Sequence, residues 1–60
     1  MKAIFEGATL KVWFANLGIS RNFTNVAEII QEGNAVLIKT GSGDQHLLNF
    51  ENVNIIEEIE

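Results

Sequence analysis

Histidine is the residue type whose charge changes most readily between pH 5 and 8, so proton transfer in a chain with a single histidine has to begin there. That residue is His46, and the carboxylate of Asp44 stands two positions before it. In an extended segment residues i and i+2 share a face, so the two side chains can form an exposed pair. Catalysis asks for more: a nucleophile or second carboxylate held against the imidazole, and a pocket that keeps water out. Sixty residues leave little interior from which to build one. The expectation is that His46 has a structural or surface role, with ligand contact next, and that the protein is not an enzyme. Cysteine is absent, which removes thiol nucleophiles, disulfides and thiolate metal sites. One imidazole cannot supply the usual zinc ligand set. No metal or cofactor is expected, and Gly41-Ser42-Gly43 lacks the lysine and following helix of a phosphate-binding loop.

The second kind of chemistry is contact. Trp13 is the chain's one tryptophan, a residue type that supplies much of the energy at protein interfaces. Its neighbours alternate: Leu10, Val12 and Phe14 fall on one face of a strand, Lys11, Trp13 and Ala15 on the other. With the leucine face turned inward, Trp13 points outward. Lys11, Trp13 and Ala15 are therefore the candidate interface residues, and Trp13→Ser is expected to harm association more than folding. Neighbouring apolar residues also occur at Leu37 with Ile38, Leu47 with Leu48 and Ile55 with Ile56. A sheet with one wet face alternates more cleanly than this. A second apolar surface follows, and self-association is the simplest way to cover it. For small ligands or nucleotides held between subunits, the alternative reading, the polar candidates are Arg21, Lys39 and His46.

These side chains need elements to hold them. Glycines at 7, 18, 33, 41 and 43, with apolar stretches of strand length between most of them and no proline, predict a series of short strands. Gly33-Asn34 fits the centre of a type II′ hairpin, because glycine accepts positive φ at the first central position. Ala35 to Thr40 follows as a strand with β-branched Val36 and Ile38. Gly41 to Asp44 forms a loop, Gln45 to Phe50 a further strand with Leu47 opposed to His46, Leu48 and Phe50, and Val53 to Ile56 or beyond the last. Lys2 to Glu6 either pairs with the next strand across Gly7-Ala8 or continues into it through a bulge at Gly7. Over 25–32 two readings compete. Val26, Ile29 and Ile30 have helical spacing, and Asn25 with Glu28 resembles a capping box. The tight turn at Gly33-Asn34 favours a strand.

The predicted fold class is therefore all-β or mainly β: a single small antiparallel domain over residues 1–60, with four or five strands in a curled sheet or barrel that covers its own edges, and at most one short helix around 25–32. The stretch from Gly43-Asp44 through Phe50-Glu51-Asn52-Val53-Asn54-Ile55-Ile56 resembles the last two strands of Sm proteins, where a glycine-led strand runs into an Asn-Val pair and an isoleucine. That resemblance implies an Sm-like or SH3-like small barrel. The basic and stacking positions with which that family holds RNA are not evident, so no RNA-binding residue is carried over.

Composition limits the partners. Eight acidic against four basic residues give a net charge of −4, and Lys2, Lys11, Arg21 and Lys39 are scattered, so nucleic acid is a disfavoured partner. No stretch reaches the roughly 20 apolar residues of a membrane-spanning helix, and no secretory signal opens the chain; a cytoplasmic, soluble protein is expected. Glu57, Glu58 and Glu60 crowd the C-terminus, either as a solvated end or as part of an acidic surface for a basic partner protein. The functional expectation is a noncatalytic interaction module, a small adaptor or inhibitor of the kind short phage and bacterial genes encode. It would act as a homo-oligomer through an apolar surface with an acidic rim.

Overall fold

A computed structural model describes residues 1–15 and 18–59. The chain forms β1 (Lys2–Phe14), β2 (Ser20–Glu32), β3 (Ala35–Thr40), β4 (Gln45–Asn49) and β5 (Val53–Glu58), with a single 3-10 turn over Phe50–Asn52 between the last two strands. All pairings are antiparallel, and the sheet order is β4-β3-β2-β1-β5. Four strands meander and the fifth returns to the free side of the first. This is a five-stranded antiparallel plan of the kind expected from the turn spacing.

A flat sheet could not bury its apolar residues, so the strands must bend. The first bend comes from Gly7, whose φ of +70° suits glycine. Lys2 to Phe14 is thus one long strand with a bulge at Gly7, and not two strands across a turn. In the β1 to β2 register the partners jump from Ile4 with Glu28 to Ala8 with Val26, then to Leu10 with Phe23. Extra residues fall first in β1, around Gly7, and then in β2, around Asn25. Asn25 is the only non-glycine residue among those described with positive φ, at 55°, a left-handed conformation that asparagine tolerates better than most. Two bulges at one corner fold the sheet over itself. The shortest molecular extent, 16 Å, leaves room for two layers about 10 Å apart.

Into that fold go Ala8, Leu10 and Val12 from β1, Phe23, Val26 and Ile29 from β2, and Val36 and Ile38 from β3, with Phe5, Phe14, Leu48 and Val53 packed around them. The leucine face of β1 is the inner one, as the alternation predicted. Truncating a fully buried member such as Ile38 to alanine costs about 2 to 5 kcal/mol by lost burial plus cavity.

Two open alternatives are decided, and the expected end of the fourth strand is corrected. The sheet does not close into a barrel: β4 and β5 are free edges, each paired on one side only. Residues 25–32 contain no helix, because they pair with both β1 and β3; Val26 and Ile29 both face inward because the β2–β3 register shifts between Val26 and Glu28, and Ile30 faces outward. Phe50 does not extend β4 but opens the 3-10 turn, where the Asn49 side chain accepts a hydrogen bond from the Glu51 N–H at 3.0 Å. The Gly33-Asn34 hairpin stands as read: Glu32 pairs with Ala35, Gly33 has φ +57° and Asn34 does not share the positive sign, as type II′ requires and type I′ does not. Among the described residues no helix is long and apolar enough to cross a membrane.

Candidate functional site

Directly opposed residues on neighbouring strands share a face. The register therefore lays out the outer surface row by row. Ile30 of β2 opposes Leu37 of β3, which opposes Leu47 of β4. Three branched apolar side chains thus stand side by side across three strands on the side away from the core. Leu47 is 72% exposed and Ile4, one row on in β1, is 67% exposed. Ile30, Leu37 and Leu47 line a shallow depression with Ala35 and Glu32 at its margin. Ile4 itself stands in a polar row, opposite Glu28, which opposes Lys39 and then Gln45, and the Ile30 row continues in β1 to Lys2. Glu28 there forms ion pairs with Lys2 at 3.2 Å and Lys39 at 3.6 Å.

The predicted contact residues occupy a different part of the outer surface, beyond the bend. Trp13 lies opposite Ser20 of β2 and Ile55 of β5. It faces outward, as expected, yet it is half-buried because its own chain covers it. The Lys11 ammonium sits 4.8 Å from the ring centroid, and the indole Nε1–H donates to Glu57 Oε1. Ala15 is exposed past the end of β1, with its N–H bonded to the Asn52 carbonyl at 2.8 Å. Trp13 and Lys11 are thus together, Ala15 lies at the margin, and Ile55, 50% exposed, is the apolar neighbour of the indole.

The ligand candidates separate. Lys39 belongs to the outer face and is engaged by Glu28. Arg21 and His46 meet on the inner face at the mouth of the curled sheet. There β2 outruns β3: their pairing ends at Val26 with Thr40, so the stretch from Ser20 to Asn25 has lost its β3 neighbour. The loop after β3 and the first residues of β4 cover the gap. Arg21, Phe23, Asn25, Thr40, Ser42, Asp44 and His46 line the depression that results. Asp44 and His46 are together here, as their spacing suggested, but Asp44 belongs to the loop and not to a strand.

The residues missed as a site are Ile4, Ile30, Leu37 and Leu47. Their signal was the doubled apolar character at Leu37 with Ile38 and Leu47 with Leu48. It indicated a second apolar surface without placing it, because placement depends on register. Comparison with protein-family models, with curated proteins and with solved structures found no match.

Proposed function

We propose that the protein is a noncatalytic interaction module that self-associates through the outer face of β2, β3 and β4 and offers an acidic periphery to a basic partner protein. The observation that carries this reading is the row Ile30, Leu37, Leu47 with Ile4 beside it, an apolar strip on the solvent side of a sheet whose other side already holds the core. Apolar side chains placed in register across three strands waste burial energy in water, and a covering surface recovers it. A second copy presents the same strip, and a two-fold contact needs nothing further. A standard interface removes about 800 Å² from each partner, roughly a fifth of this chain's 3975 Å². The contact must therefore spread beyond the strip over Lys2, the Glu28 and Lys39 row and the Glu32 margin.

The charge distribution supports the second half of the reading. Lys2 and Lys39 are both drawn to Glu28 and Lys11 to the indole, whereas Glu6, Glu32, Glu51 and Glu58 are exposed with no ion pair among the described residues. Free charge at the periphery is thus predominantly negative, which favours encounter with a basic protein surface and disfavours phosphate backbones.

Light scattering over a micromolar to millimolar series tests the assembly. The parent chain is expected to pass from monomer to dimer, and Leu47→Lys to weaken the dimer at least tenfold while leaving the fold intact, because an exposed side chain contributes little to the monomer core. A parent that stays at 6.7 kDa throughout the series contradicts the reading.

A further inference from the structure

The mouth of the curled sheet has a different character from the outer face, and its polar groups are left uncommitted. The Arg21 guanidinium lies 4.8 Å over the Phe23 ring. The His46 ring leans on the same phenylalanine, with centroids 5.0 Å apart and planes at 59°. Phe23 itself is 3% exposed, so it forms a fixed floor that orients a guanidinium and an imidazole toward one space. Neither group has a carboxylate partner among the described residues. Planar stacking of this kind pre-positions the guanidinium fork for an oxyanion.

The far wall can be read donor by donor. Ser42 Oγ accepts from Asn25 Nδ2 at 3.4 Å and Thr40 Oγ1 accepts from the Asp44 N–H at 3.1 Å. Each hydroxyl has thereby filled an acceptor role and keeps its own hydrogen to give. The Asn25 side chain is held in the corner by the left-handed backbone at that residue and by the closeness of Gly41, where an added Cβ would stand 3.0 Å from Nδ2. Asp44 adds the one carboxylate that lines this space. The site is thus two-ended: a cationic fork on the β2 side, and an acceptor with hydroxyl donors on the loop side. A bare oxyanion meets repulsion from Asp44, while an oxyanion that carries its own hydrogen-bond donor satisfies both ends. The cavity measures about 170 Å³, below the roughly 300 to 1,000 Å³ of pockets for drug-sized ligands, which limits the occupant to a few heavy atoms.

We propose that this mouth binds a small oxyanion bearing a neighbouring hydrogen-bond donor, with its carboxylate or phosphate on Arg21 and His46 and its hydroxyl or ammonium group on Asp44. The two sources of that chemistry are an α-amino acid and a hydroxylated phosphomonoester. Titration of the isotope-labelled full chain with serine, with glycerol phosphate and with sulfate, which carries no hydrogen to donate, followed through amide and imidazole resonances, tests it. Serine or glycerol phosphate is expected to shift residues 21–25 and 40–46 and to bind at least tenfold more tightly than sulfate. Arg21→Gln is expected to weaken that binding at least tenfold, and Asp44→Asn to narrow the preference over sulfate. Lys39→Gln, on the opposite face, is expected to change affinity less than twofold. Arg21 is exposed, so its replacement should spare the fold, and an unchanged spectrum outside the mouth verifies this. The proposal is overturned by the absence of shifts at 10 mM for both donor-bearing probes, by equal loss in Arg21→Gln and Lys39→Gln, or by sulfate binding as tightly as the other two.

Discussion

Asn25 is where single-residue chemistry has the widest consequence. Its positive φ makes the β2 bulge, its carbonyl accepts from the Gly41 N–H at 2.8 Å, and its side chain closes one end of the mouth. A methyl group at residue 41 would meet the Asn25 side chain at 3.0 to 3.3 Å, tighter than ordinary packing. Gly41→Ala should therefore destabilise the parent by about 1 kcal/mol and cost little in an Asn25→Gly background, a coupling that a denaturant-melt double-mutant cycle reads directly. Equal costs in both backgrounds would show that the methyl group meets something else. Trp13→Ser separates the two outer patches, and with the indole held by its own chain the expectation drawn from strand parity reverses. The substitution removes an indole held by Lys11 and Glu57, so stability should fall by about 1 to 2 kcal/mol, while dimerisation through the Leu47 strip persists. At this scale the sequence identified residue types well: the single imidazole, its nearby carboxylate and the outward indole were all legible. Proximity was not. Arg21 and His46 stand on strands that do not pair with each other, and they meet only because β2 outruns β3.

Among the elements, turns were the most legible and bends the least. Gly33-Asn34 announces its geometry through residue type alone, and φ +57° at Gly33 predicts that Gly33→Val costs at least about 1 kcal/mol in a thermal melt, while Asn34→Ser is nearly neutral. Comparable costs at both positions would contradict the type II′ assignment. Gly7 was readable as either a turn or a bulge, since both use positive φ. What decides between them is that Lys2, Ala3 and Ile4 pair with Ile30, Ile29 and Glu28 of the same β2 that also takes the second half of β1. That is tertiary pairing, invisible locally. The same holds for 25–32, where a bulge shifts the phase of alternation and turns a strand's period into something that counts like a helix. Bulges insert a residue into the two-residue period, so any reading that relies on parity drifts at each one.

For the molecule as a whole, the bend that buries one face leaves the other with two apolar patches and leaves two edges free. The β5 edge carries Glu57 and Glu58 and the β4 edge is five residues long, which are ordinary ways of discouraging edge-to-edge pairing. The outer face of β2 to β4 has no such protection. Closure was one of two readings, because short strands joined by tight turns commonly form barrels; the returning β5 pairs with β1 and stops there, which leaves the curled sheet open. An open sheet with charged or short edges and an apolar outer strip points to association face to face. Methyl spectra of the labelled chain, recorded from 10 µM to 1 mM, test this most directly. The account predicts concentration-dependent shifts concentrated at Ile4, Ile30, Leu37 and Leu47, abolished in Leu47→Lys, with Ile38 and Val26 in the core unmoved. Spectra that do not change with concentration, or changes confined to Trp13 and Ile55, would contradict it.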